Sequence, residues 1–195
     1  MKYKILATSI LFLLASTLFA NPIKAQNVEL VNELLETKEC RSCNLFGVSL
    51  TNTDLNRAIL GEAILTTADL SGANLSSAFL RGAFLRYTNL SNAILRSVNL
   101  SHAVLTLANL NNADLTGADI RNAYLFDANL SGANLSGANL SGANLLAADL
   151  TGANLEGALL FEANLKNADL TNVNLTGLNL CNATMPDGSK SLQGC

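Results

Sequence analysis

Leucine recurs at every fifth position over most of the chain. From Leu45 to Leu180 the pattern runs through 28 consecutive units without an insertion, and Ile120 is the one position where leucine is replaced. A small residue, usually alanine, lies two positions before most of these leucines, as in the sequence Ala-Asn-Leu-Ser-Gly at 133–137. Repetition at a fixed period indicates a chain built from stacked structural repeats. The pattern therefore predicts a solenoid.

A five-residue period fits neither a straight helix nor a flat strand. In an α-helix, five residues advance by about 500°, so successive leucines would spread around the axis. In a strand, successive leucines would point to opposite faces, because five is an odd number. The alanine and the leucine of one unit share a face, since they are two residues apart. The chain must therefore turn once in every unit, with both side chains inside.

The other two residues of each unit are predicted to form the corner. The position two after the leucine is Gly in 10 of the 28 units and Asn in 7. Both residues accept a positive φ, which the third position of a type II turn requires.

Two adjacent units, Ala68-Asp69-Leu70-Ser71-Gly72 and Ala73-Asn74-Leu75-Ser76-Ser77, resemble the A(N/D)LXX signature of the pentapeptide-repeat family. The resemblance covers residues 43–182. It implies an all-β solenoid, specifically a right-handed quadrilateral β-helix with four repeats in each coil. The 28 units would then make about seven coils, roughly 34 Å long at the usual spacing between strands.

The two ends of the chain differ from the repeats. Residues 1–25 have a basic start, an uncharged apolar run and a small residue at the end, which is typical of a secretory signal peptide. Cleavage is expected after Ala25, with Ala20 as the alternative. Residues 26–42 are expected to form a short α-helical cap in which Val28, Leu30, Val31, Leu34 and Leu35 make one apolar face. Residues 183–195 are expected to form a C-terminal cap tail after the β-helix at 43–182.

Charge argues against a nucleic-acid partner. The chain has 12 Lys+Arg and 15 Asp+Glu, and removal of residues 1–25 would leave 9 basic residues and a net charge of −6. Proteins that bind phosphate backbones carry an excess of basic residues instead.

The leader predicts an exported protein in the periplasm, the thylakoid lumen or the extracellular space. No membrane span is expected in the mature chain.

Four cysteines lie at the two ends of the repeat region, Cys40 and Cys43 before it and Cys181 and Cys195 after it. Export favours disulfides, and local pairing at each end is the simplest arrangement. A redox or metal role for the Cys40–Cys43 motif is the alternative. Too few further ligands are nearby for zinc.

Nothing in the sequence indicates catalysis, a cofactor or a metal. The single histidine, His102, falls on an outward corner without the nucleophile and orienting group that a catalytic base needs. The outward carboxylates Asp69, Asp149 and Asp169 share one face, but asparagine is commoner in those rows, so calcium binding is not expected there.

One outward face is predicted to be apolar. If four repeats make one coil, outward residues four repeats apart stack in columns, and one column and its adjoining corner collect large apolar side chains. They are Phe46, Ile64, Phe84, Tyr87, Val104, Leu107, Tyr124, Phe126 and Leu146. Contiguous exposed apolar patches usually mark interaction sites.

The sequence thus favours a non-catalytic exported scaffold that binds a protein partner or a second copy of itself through this face. Its leader and terminal cysteines are similar to those of family members from cyanobacteria and the thylakoid lumen. One alternative is the class of DNA-mimicking pentapeptide proteins that protect DNA gyrase, which the leader and the weak acidity disfavour. Another is a surface- or ice-binding solenoid, for which regular threonine ladders are missing.

Overall fold

The computed structural model describes residues 22–195, with side chains described from Val28 onward. The predicted leader therefore lies outside the described residues, except for its last four positions. These belong to helix α1, which spans Pro22–Thr37. Leu34 of α1 is fully buried, and Leu30 and Val31 pack against the same core. Val28 and Leu35 are exposed instead, so the apolar face of the helix is narrower than the sequence predicts.

From residue 39 onward the chain forms a parallel ladder between residues that are four repeats apart. The ladder begins with Glu39 paired to Ile59 and extends to Asn164 paired to Thr184. It thus starts before residue 43, because residues 39–42 already follow the repeat geometry, with Ser42 at a φ of 52°. Each wall contributes one paired residue before the chain turns, so the described β-structure consists of isolated bridges.

A turn in every repeat and a pairing after every fourth repeat give each coil four walls. We number them by the leucines of one coil: wall 1 contains Leu65, wall 2 Leu70, wall 3 Leu75 and wall 4 Leu80. Backbone hydrogen bonds join each wall to the next coil, as where the Leu85 amide donates to the Val104 carbonyl at 2.8 Å.

The interior is filled by the leucine and alanine columns. Nearly every leucine from Leu45 to Leu165 and nearly every alanine two positions before it is below 5% exposed. Thr88 takes an alanine position and is fully buried, and its hydroxyl donates to the Leu65 carbonyl at 2.7 Å. Each buried leucine side chain stabilises the fold by about 1.5–3 kcal/mol before the loss of conformational entropy is counted.

The corners are β-turns, as the sequence predicts. The Ala58 amide donates to the Leu55 carbonyl at 3.0 Å, which closes one turn. The third residue of that turn, Arg57, has a φ of 60°. Every corner from Ser42 to Asn182 shows the same positive φ at this position, including those occupied by Thr67 and Leu107.

The last coil departs from the ladder on wall 3. Asn154 and Asn174 are four repeats apart, yet they do not pair, although Asp149–Asp169 before them and Leu159–Asn179 after them do. Leu178 occupies a position that is alanine in most units, and it is 3% exposed. Val173, on wall 3 itself, also stands at an alanine position and packs against the core, so the coil that loses its pairing carries two larger side chains at these positions.

The C-terminal tail folds back over that coil. The Leu180 amide donates to the Gln193 carbonyl at 3.1 Å, and Thr184 pairs antiparallel with Lys190. The Gln193 side-chain amide donates to the carbonyls of Leu175 at 2.7 Å and Leu178 at 3.0 Å. The tail therefore satisfies backbone groups that a further coil would otherwise have bonded.

Candidate interaction surface

The nine apolar residues predicted to share a face lie together on wall 1 and on its corner with wall 2. We call this surface the apolar wall. Six of its members are exposed: Phe46, Ile64, Phe84, Tyr87, Tyr124 and Phe126. They make up half of the large exposed hydrophobic residues in the described part of the chain. Val104, Leu107 and Leu146 are partly buried.

The centre of the apolar wall is a continuous run of paired residues. Ile64 pairs with Phe84, Phe84 with Val104, and Val104 with Tyr124. Strands paired in this way are about 4.8 Å apart, so the four side chains form an unbroken ridge. Phe84 is 48% exposed and Tyr124 is 54% exposed, so both could be covered by a partner.

Wall 2 shows the residues that most repeats carry at the position immediately before the leucine, namely Asn or Asp. The Ser71 amide donates to Asp69 Oδ1 at 3.0 Å, and the Ser131 amide donates to Asn129 Oδ1 at 2.9 Å. Asn109 Nδ2 also donates to Asn89 Oδ1 of the neighbouring coil at 3.3 Å. The Asn or Asp before each leucine thus supplies an acceptor to the corner, which is a physical reason for the residue preference in this repeat.

The apolar wall lacks these hydrogen bonds at its centre. Within the described residues, four corner amides there have no side-chain acceptor: those of Thr66, Arg86, Thr106 and Phe126. Asparagine returns at both ends of the wall, where Asn44 and Asn144 accept from the amides of Phe46 and Leu146, each at 3.2 Å. The apolar run therefore replaces a repeated local hydrogen bond over four coils.

Arginines flank the apolar wall on both sides. Arg86 lies at the corner with wall 2, where its Nη2 donates to the Tyr87 hydroxyl at 3.2 Å. At the corner with wall 4, Arg41, Arg81 and Arg121 lie in one column, in alternate coils. Four of the six arginines in the chain thus border this surface.

Several carboxylates have lowered pKa values because of local donors. The pKa of Asp69 is lowered first by the backbone amide of Ser71 and then by the Ser71 hydroxyl. The pKa of Asp119 is lowered first by hydrogen bonding from the Arg121 guanidinium, whose Nη2 lies 2.7 Å from Asp119 Oδ2. These carboxylates stay ionised and support the corners beside them.

The four cysteines are arranged as two neighbouring pairs. Cys40 and Cys43 have their Cα atoms 5.4 Å apart, and those of Cys181 and Cys195 are 4.8 Å apart. Both separations lie within the range that disulfides span. The first pair lies where α1 leads into the ladder, and the second joins the last coil to the end of the tail.

His102 is exposed at the corner between walls 4 and 1, on a residue with a φ of 59°. Over residues 22–195, His, Cys, Asp and Glu form no cluster that could hold a metal ion. Within the same range, no helix has the length and hydrophobicity of a membrane span.

Two features were not anticipated from the sequence. One is the open seam between Asn154 and Asn174. The other is a hollow of about 390 Å³ at the corner between walls 4 and 1, bordered by Arg41, Arg81 and His102. The sequence could have indicated the hollow through the column that has arginine in alternate coils. That column is seen only when residues four repeats apart are aligned.

A family model described as "Pentapeptide repeats" matches residues 43–82, 83–122, 123–160 and 148–186. These ranges cover well over half of the chain, which therefore belongs to the pentapeptide repeat family. Proteins of this family adopt a right-handed quadrilateral β-helix, and they are generally structural or binding proteins without enzymatic activity.

Solved structures of similar proteins include HetL, a pentapeptide repeat protein involved in heterocyst differentiation regulation from the cyanobacterium Nostoc sp. strain PCC 7120. It is 37% identical, the match covers 78% of this chain and 89% of HetL, and the TM-score is 0.33. A pentapeptide repeat protein from the Arabidopsis thaliana thylakoid lumen is 34% identical over 55% of this chain and 71% of its own, with a TM-score of 0.42.

QnrB1, a plasmid-mediated fluoroquinolone resistance protein, is 22% identical over 79% of this chain and 89% of its own, with a TM-score of 0.47. A comparison with curated proteins finds no match.

Proposed function

We propose that this protein is an exported, non-catalytic scaffold that binds a protein partner, or a second copy of itself, through the apolar wall. The observation that carries the proposal is the replacement of corner-stabilising Asn or Asp by Ile64, Phe84, Val104 and Tyr124 in four successive coils. A hydrogen bond of this kind contributes about 1 kcal/mol. Its repeated loss has no benefit for the isolated fold, whereas exposed aromatic side chains are what protein interfaces use.

The proposal includes the organisation of the chain. Residues 1–25 are the leader, α1 caps the first coil, about seven coils follow over 43–182, and 183–195 cap the last one. Disulfides between Cys40 and Cys43 and between Cys181 and Cys195 hold the two ends. The cysteine separations and the lumenal protein at 34% identity support an oxidising, exported location.

A DNA-mimicking role is the second candidate, raised by the fold similarity to QnrB1. A mimic of the DNA backbone needs a densely anionic surface. Residues 45–180 carry 10 acidic and 6 basic residues, and four of the chain's arginines border its most hydrophobic surface. The charge distribution therefore favours the apolar wall as the functional surface, and no wall has the threonine ladders that would favour an ice- or surface-binding role.

The test is light scattering on the protein purified from the exported fraction, over a range of concentrations. The Phe84→Ser/Tyr124→Ser variant removes two exposed aromatics from the apolar wall. The matched control is Ile94→Ser/Leu159→Ser, because these residues are 40% and 42% exposed but lie on walls 3 and 4. A dimer present in the wild type and the control but lost in the wall variant would establish a second copy as the occupant.

If all three proteins are monomers, the readout becomes the set of components that co-purify with each from the native exported fraction. We expect a component that the wild type and the control retain and the wall variant loses. Identical assembly states and identical co-purifying components in all three would contradict the proposal.

A further inference from the structure

The hollow at the corner between walls 4 and 1 lies outside the apolar wall and has a defined construction. It occupies about 390 Å³ and is bordered by Arg41, Gly61, Glu62, Phe79, Arg81 and His102. Arg41, Gly61 and Arg81 follow one another in a single column, each one coil after the last. The two arginines therefore lie one coil to either side of the glycine.

Glycine at position 61 opens the space. Gly61 is buried, and a Cβ atom there would lie 2.9 Å from Cε1 of Phe79, closer than real contacts allow. The same Cβ would lie 3.7 Å from Nη1 of Arg41. The Arg41 guanidinium carbon is 5.5 Å from the centre of the Phe79 ring. The missing side chain thus lets the Phe79 ring and the Arg41 guanidinium meet over a backbone floor.

Both arginines at the hollow lack a carboxylate partner within the described residues. The ion pairs among the described residues are Arg96 with Asp114 and Arg121 with Asp119, and neither involves Arg41 or Arg81. Glu62 is the one carboxylate beside the hollow, and its Oε2 accepts from the Ser42 hydroxyl at 3.4 Å. The hollow is therefore bordered by two guanidinium groups, those of Arg41 and Arg81, and by one carboxylate. The local charge is positive, although the chain has a net charge of −3.

We propose that this hollow binds the oxyanion group of a small molecule, a carboxylate or a phosphate, between Arg41 and Arg81. Guanidinium groups are planar donors whose geometry matches both kinds of oxyanion, and their hydrogen bonds to anions are stronger than neutral ones. The Phe79 ring provides an apolar surface next to the anion. Glu62 opposes binding, so neutralising this carboxylate should tighten the site.

The experiment titrates the full chain with inorganic phosphate and, separately, with sodium acetate. Ionic strength is held constant with chloride, and the backbone amide signals of Gly61 and Gly82 are followed by NMR. We expect saturable shifts at both glycines with at least one of the two anions, and the anion that binds more tightly identifies phosphate or carboxylate as the preferred group.

Three variants make the result specific. Arg81→Gln should weaken binding about tenfold, since it removes one charged donor. Glu62→Gln should tighten binding severalfold, because it removes the opposing charge. Arg57→Gln is the control, since it removes an exposed arginine from the corner between walls 3 and 4 and should leave the affinity unchanged.

Three results would overturn the proposal: no saturable shift with either anion, an affinity unaffected by Arg81→Gln, or no tightening in Glu62→Gln. Thermal unfolding of each variant confirms that the fold is retained.

Discussion

At the scale of single residues, every corner requires a positive φ at its third residue, yet many different residue types occupy that position. Every corner from Ser42 to Asn182 holds its third residue at positive φ, and many of these residues are not glycine. An L-residue in this region is disfavoured by about 1–2 kcal/mol. The repeat tolerates such residues because nearly every corner is closed by its own turn hydrogen bond and is held by the neighbouring coils.

Gly137 and Ala147 allow a reciprocal test of that cost. Gly137 has a φ of 66° with nothing within 4 Å of the place where a Cβ atom would lie, and Ala147 has a φ of 58°. We expect Gly137→Ala to lower the free energy of unfolding by about 1 kcal/mol and Ala147→Gly to raise it by a similar or smaller amount. Urea denaturation measures both, and changes of the same sign would contradict the expectation.

Replacing an apolar-wall residue by asparagine is expected to stabilise the fold and to weaken binding. Tyr124→Asn places the usual acceptor two residues before Phe126, whose amide could then donate to it as the Leu146 amide donates to Asn144. We expect a gain of about 1 kcal/mol in unfolding free energy, since the lost tyrosine is 54% exposed. Thermal unfolding and light scattering, measured together, should show higher stability and weaker association. A less stable variant would mean that Tyr124 has a structural role.

At the scale of elements, regularity determines what could be anticipated from the sequence. The five-residue period was sufficient to predict the interior leucines and the positive-φ corners, because each follows from position within the repeat. Grouping the apolar wall also required the four repeats per coil that the family resemblance implies. The seam at Asn154 and Asn174 leaves the five-residue period unchanged, so the pattern gives no signal for it. The hollow at Gly61 depends on the side chains one coil before and after it, so no local motif reveals it.

The C-terminal tail provides a test at this scale. If Cys181 and Cys195 form a disulfide, Cys195→Ser removes a link that closes a 14-residue separation, which is expected to contribute about 3 kcal/mol. We expect faster hydrogen exchange at the Leu180 amide, which donates to the Gln193 carbonyl, and little change at Leu85 in the middle of the ladder. Equal protection of Leu180 in both proteins would show that the tail is held without the disulfide.

At the scale of the whole molecule, the carboxylates link stability to pH. The folded-state pKa values of Asp69, Asp114, Asp119 and Asp169 are all lowered. A lowered pKa contributes stability that is fully present above the unfolded-state value of about 3.9 and is lost as the pH falls through the folded-state value.

We therefore expect the urea midpoint to fall as the pH drops from about 5 to about 3. Asp69→Asn should reduce that dependence, because the amide oxygen can still accept from the Ser71 amide but does not titrate. Midpoints measured at several pH values check this, and an unchanged pH dependence in Asp69→Asn would contradict the contribution assigned to this carboxylate.

The pairing of every repeat with the fourth one after it also governs how such a gene could change in length. Loss or gain of four repeats would remove or add one whole coil and leave every downstream side chain on its own wall. Loss of a single repeat would leave the interior filled but rotate everything downstream by a quarter turn, dividing the ridge from Ile64 to Tyr124 between two sides. Insertions and deletions that preserve this surface should therefore come in whole coils, although the fold itself accepts them one repeat at a time.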